Sequence, residues 1–107
     1  MMQADIYLVP FPFSDLSGTK VRPVLVMSKK SFNTTSQDLI VCAITSVNSP
    51  NSIRITQKDL TQGVLYSDSY VKYASVFKLD KKLLCKKIGT LHISTFDKIR
   101  TKLLSLF

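Results

Sequence analysis

No glutamate occurs anywhere in this 107-residue chain, which also has only one histidine, two cysteines and three glycines. All of its acidic residues are aspartates: Asp5, Asp15, Asp38, Asp59, Asp68, Asp80 and Asp97. A mechanism that pairs two histidines, or a histidine with a glutamate, is therefore excluded within one chain. So is a histidine-rich zinc site. Cys42 and Cys85 are far apart and form no CxxC, whereas zinc takes four ligands in structural sites and three plus water in catalytic ones. They read as two reduced thiols of a cytoplasmic protein. No run approaches the ~18 apolar residues of a membrane span. The opening Met1-Met2-Gln3-Ala4-Asp5 lacks the basic start of a signal peptide. Neither GxxxxGK nor GxGxxG is present, so Gly63 and Gly89-Thr90 make no phosphate-cradling loop.

What is present is apolar and basic. With 45% hydrophobic residues the chain fits one packed domain over residues 1–107, large enough to bury roughly 65% of its unfolded surface without staples. The net charge is +8, and it is lopsided. Residues 1–53 carry Lys20, Arg22, Lys29 and Lys30 against three aspartates, while nearly all the surplus lies beyond residue 53. Such a charge suits a polyanionic partner, either nucleic acid or an acidic protein segment; it also serves simple solubility.

Hydropathy patterning predicts a short first strand at Ile6–Val9, closed by Pro10 and Pro12. Residues 14–20 form a polar loop. Pro23 opens a second strand, Val24–Met27, since proline is tolerated at a strand's first position. Residues 28–37 read as another loop, and Leu39–Thr45 as a central strand. Further strands fall at Ile53–Thr56, at Tyr70–Phe77 and around Ile88 and Leu91, with Gly63 as a break. The period then changes. Phe96, Ile99, Leu103 and Leu106 recur at helical spacing behind a capping-box-like Ser94-x-x-Asp97, with Lys98, Arg100 and Lys102 off the stripe. Many short strands and one terminal amphipathic helix predict a small bent sheet or barrel of α+β class, mainly β.

Three features bear on chemistry. Arg22 precedes Pro23, which biases it toward an extended backbone, so its planar fork is either presented to a phosphate or lies on the surface at a strand start. Thr45-Ser46 ends the apolar strand, where two hydroxyls either bind a phosphate or ribose oxygen or begin a turn. Residues 78–102 are rich in lysine and either track a phosphate backbone or form a solvated face. His92, isolated between Leu91 and Ile93, reads as a structural or surface residue and not as a base.

The stretch PFPFSDLSGTKVRPVLV, followed by IVCAITS, KKIGTL and the terminal helix, resembles the MazF/PemK/Kid family over nearly the whole chain. These are endoribonuclease toxins of type II toxin–antitoxin systems. The resemblance implies an SH3-like small barrel assembled as a homodimer, with no cofactor and no metal. It implies cleavage of single-stranded RNA at short sequence motifs, inhibition by an acidic antitoxin protein, and DNA binding together with that antitoxin. The family's catalytic arginine and threonine fall on Arg22 and Thr45. Substrate-binding positions fall on Ser17, Gly18, Thr19, Lys20, Ser46 and Lys72. Metal-free cleavage uses the neighbouring 2′-OH as nucleophile, and an arginine–hydroxyl site is the kind this composition leaves open. Two departures stand out. The usual Gly-Asp before the first strand is Ala4-Asp5, and the arginine and aspartate of the Kid branch are Lys72 and Ala74. Three readings follow: cleavage carried by Arg22 and Thr45, a member that binds RNA or antitoxin only, or a gyrase inhibitor of the CcdB type.

Overall fold

The computed structural model describes residues 2–12 and 19–107. Seven strands are resolved among them: β1 (Asp5–Pro12), β2 (Thr19–Val26), β3 (Asp38–Thr45), β4 (Ser52–Ile55), β5 (Leu60–Gly63), β6 (Ser69–Asp80) and β7 (Lys86–Leu91). Two helices accompany them, α1 (Lys30–Thr35) and α2 (Ile93–Leu104). The strands form one antiparallel sheet in the order β4-β6-β3-β2-β1-β7-β5. Its edge strands, β4 and β5, are consecutive in the chain and joined by the single 3-10 turn Gln57–Asp59. A flat seven-stranded sheet would hold its edges ~29 Å apart, but the chain from Ile55 to Leu60 spans at most ~18 Å. The sheet must therefore curl. Ile55 and Leu60 accordingly meet in one core. This is the bent sheet with a C-terminal helix that the patterning predicts, curled into a half-barrel of the SH3-like kind that the resemblance implies.

Both faces of the sheet are packed. Ile6, Leu25, Cys42, Ile44 and Val71 line the concave side with Phe96 and Ile99 of α2. Val9, Val24, Val26, Leu39 and Val41 form a second cluster with Leu79 on the other side. The alternation along Val24-Leu25-Val26 explains why β2 and β3 read as unbroken apolar runs. Lys98, Arg100 and Lys102 are exposed on α2, as the stripe predicts, but Leu106 lies beyond the helix and is exposed. The thiol of Cys42 is buried, and desolvation pushes it up to about 12, while Cys85 is exposed; both are free.

Several local expectations need correction. β1 runs on through Pro10 to Pro12 because it keeps β2 as its partner and loses only β7. The Leu8 carbonyl accepts from the Cys85 N–H at 2.8 Å on the β7 side, and Pro10 and Pro12 share that direction. Pairing with β7 has stopped by then, so the missing N–H groups break no ladder. β2 begins at Thr19, four residues before Pro23. The segment 28–37 is not all loop: α1 is anchored where the Asn33 amide donates to the Ser28 carbonyl at 2.8 Å and the Lys81 ammonium donates to the Asn33 carbonyl. Gly63 ends a strand, β5, where it lies opposite Gly89 of β7. The Ser94–Asp97 capping box does not form. His92 is the N-cap and is exposed; Thr95 instead donates to Asp59 at 2.9 Å and Asp97 pairs with Arg100 at 3.0 Å.

Candidate nucleic-acid site

The site begins as a fork in the sheet. β2 stays with β1 as far as Thr19 opposite Pro12, and β3 stays with β6 as far as Thr45 opposite Tyr70. Between them, β2 and β3 pair only over Val24–Val26 against Val41–Ala43. Pro23 is the cause. Its backbone nitrogen shares the direction of Met27, whose N–H donates to the Ile40 carbonyl of β3 at 2.8 Å. Proline has no hydrogen to give, so the ladder stops there. Pro23 thus does not open the strand, which begins at Thr19; it bounds the β2–β3 ladder, whose first pair is Val24 with Ala43.

The two halves of the sheet part beyond that point and leave a cavity of about 210 Å³. Lys20 and Arg22 form one wall, Thr45 and Ser46 the facing wall, and Ser67 and Ser69 close it at the start of β6. Arg22 and Thr45 are half-buried, Lys20 and Ser46 exposed. The Thr45 hydroxyl accepts from the Val47 N–H at 3.2 Å, which fixes its rotamer and leaves its own proton for a ligand. Ser69 is buried and donates to the Ser67 carbonyl at 3.2 Å. The described lining thus holds a guanidinium, an ammonium and hydroxyls, with no carboxylate. Among the described residues no three His, Cys, Asp or Glu side chains cluster. What this wall offers is hydrogen-bond donors and positive charge, the complement of a phosphate.

The structure brings together four of the residues singled out in the sequence, Lys20, Arg22, Thr45 and Ser46. Thr19 begins β2, and only its backbone is described. Ser17 and Gly18 lie outside the described residues. Lys72 is half-buried on β6 opposite Ala43, one pair along from the cavity and not in its described lining. After it the register jumps, so that Tyr73, Ala74 and Ser75 bulge from the ladder. Ala74 is exposed in that bulge. Ser67 and Ser69 were not singled out in the sequence. Their only signal is the polar Ser67-Asp68-Ser69 just ahead of a strand, and what brings them to the cavity is the long-range pairing of β6 with β3.

A model of the family "PemK-like, MazF-like toxin of type II toxin-antitoxin system" matches residues 2–107. A comparison with curated proteins finds no sequence match. Solved structures share the fold at low identity. A MazE–MazF complex from Deinococcus radiodurans is 21% identical with a TM-score of 0.80, covering 99% of this chain and 94% of that one. An endoribonuclease in complex with its cognate antitoxin, from a mycobacterial species, is 21% identical with a TM-score of 0.75, covering 98% and 92%. The Mycobacterium tuberculosis toxin MazF-mt6 is 18% identical with a TM-score of 0.74, covering 94% and 93%.

Proposed function

Because the chain belongs to the PemK-like, MazF-like toxins of type II toxin–antitoxin systems, we propose that it is a metal-independent endoribonuclease that cuts single-stranded RNA by 2′-OH attack. The observation that carries this reading is the fork at Pro23, which sets Arg22 across from Thr45 over a cavity of phosphate size. In the reaction the 2′-hydroxyl gives its proton to water as its oxygen bonds to phosphorus, the bond from phosphorus to the 5′-oxygen breaks, and the 5′-oxygen takes up a proton from water. Charge builds on the phosphorane's equatorial oxygens. The Arg22 guanidinium supplies a planar pair of donors to them, and the Thr45 proton a third. Arginine is too basic to act as a general base near neutral pH, so its role is electrostatic. Ser46 and Lys20 hold the flanking backbone. Lys72, one ladder pair away, meets a neighbouring phosphate as a point charge.

An acidic antitoxin suits the same basic cavity and would exclude RNA from it; the mycobacterial endoribonuclease solved with its cognate antitoxin and the Deinococcus MazE–MazF complex support a partner of that kind. A homodimer is supported by the apolar end of the chain, where Leu104, Leu106 and Phe107 are all exposed. On this reading the protein acts in the cytoplasm, where an RNA substrate is found. The binding-only alternative draws on Ala74, which lies on an exposed bulge outside the described lining of the cavity.

The test is RNA cleavage by the purified protein in EDTA. Wild type is expected to cut; Arg22→Ala and Thr45→Ala are each expected to lose about 10²–10³-fold in rate. Arg22→Lys keeps the charge but not the fork and recovers only part of the loss. RNA that stays intact across many sequences at high protein concentration would overturn the assignment.

A further inference from the structure

A second hollow of about 260 Å³ adjoins the first, lined by Leu8, Val64, Tyr66, Lys86 and Ile88 among others. Two independent links show that they share a wall. Ser67 faces the first cavity and Tyr66, its neighbour in the chain, faces the second. Pro23 lines the first and Leu8 the second, and these two are directly opposite in the β1–β2 ladder. Cross-strand partners carry their Cβ atoms ~4.5–5.5 Å apart, so the hollows are consecutive stretches of one groove. On the dividing wall Tyr66 is 92% exposed, among the described residues the most exposed aromatic after the terminal Phe107. The far stretch is basic: Lys86 is exposed, while Lys87 shares its charge with the buried Asp5 at 3.4 Å.

An exposed aromatic ring between a phosphate-sized cavity and a lysine is the pattern by which proteins track single-stranded nucleic acid, with bases stacked on rings and phosphates on cations. We propose that RNA leaving the Arg22–Thr45 cavity stacks a base on Tyr66 and rests a following phosphate on Lys86. The inference builds on the RNA-cleaving reading and adds to it the path of the strand. An acidic peptide would use Lys86 but has no planar base for the ring, which favours RNA as the occupant.

The probe is a fluorescent, random-sequence 2′-O-methyl RNA decamer, which 2′-OH attack cannot cut, followed by anisotropy. Tyr66→Ala is expected to weaken binding about ten-fold or more, and Tyr66→Phe, which keeps the ring, to stay within about two-fold of wild type. With cleavable RNA in EDTA, Tyr66→Ala raises KM and leaves kcat within about three-fold. Equal binding by wild type and Tyr66→Ala would overturn the proposal, as would loss of poly-glutamate peptide binding in Tyr66→Ala with RNA binding intact. Wild type that binds the decamer in a Tyr66-dependent way yet cuts no RNA would sink the cleavage reading and leave the groove. Wild type that cuts RNA with no dependence on Tyr66 would do the reverse.

Discussion

Ala4 turns the chain into β1 with a φ of 76°, a left-handed conformation that an L side chain adopts at a cost of roughly 1–2 kcal/mol. The Gly-Asp usual before this strand in the resembled family is thus matched to the backbone, and Ala4-Asp5 departs from it at a strained place. Ala4 is also 5% exposed, so its methyl group gives back roughly 0.8 kcal/mol of burial. Glycine at this place would also lose about 0.4–1 kcal/mol through its freer unfolded chain, so burial and chain entropy together offset most of the strain. Ala4→Gly is therefore expected to change stability by less than about 1 kcal/mol, whereas the β-branched Ala4→Val, which cannot accept this φ, is expected to cost about 2 kcal/mol or more. Urea denaturation midpoints check both. At this scale much of the site is legible, because Arg22 and Thr45-Ser46 are neighbours of a proline and of an apolar run whose ends the sequence marks. Ser69 is not, since its place in the cavity depends on a partner strand far along the chain.

At the scale of elements, legibility tracks how local the cause is. The stripe of α2 is a property of twelve consecutive residues and predicts its buried face, Phe96 and Ile99, correctly. Its start is not local: Asp59 receives the Thr95 hydroxyl at 2.9 Å and its carbonyl the His92 N–H at 2.7 Å, and this contact outcompetes the Ser94–Asp97 box. The prolines mislead for a related reason, as whether a missing N–H ends a strand depends on which side has a neighbour. β5 is only four residues long and reads as a break because Gly63 ends it. Gly63 has a φ of 91°, and a Cβ there would lie 2.1 Å from the Ile88 carbonyl oxygen. Backbone cannot move aside as a flexible side chain does. Gly63→Ala is expected to cost at least about 2 kcal/mol, read by thermal denaturation, and to disturb the Tyr66 hollow, whose lining includes Gly63.

For the whole molecule, curling the sheet gathers charge that the sequence spreads. Lys20 and Arg22 come from the nearly neutral first half and Lys86 from the strongly basic second half, and the curled sheet sets these three along the two hollows, with Lys72 one ladder pair from the first. Each phosphate neutralised releases counterions, so for single-stranded RNA the logarithm of the binding constant falls with that of salt concentration by ~0.7 per contact. Four contacts predict a slope of about −2 to −3, and Lys86→Gln is expected to make it shallower by about 0.7. The net charge of +8 by itself suggests an anionic partner; the proposed RNA substrate rests on the family together with Arg22 facing Thr45.

The chemistry at that cavity is tested most directly by the ends it leaves on cleaved RNA. Digestion of a long RNA in EDTA, with mass spectrometry of the fragments, is expected to show 2′,3′-cyclic phosphate on one side of each cut and a free 5′-hydroxyl on the other, with both absent for Arg22→Ala. Fragments that carry 5′-phosphate and 3′-hydroxyl ends, or cuts that appear only when magnesium is restored, would contradict the account.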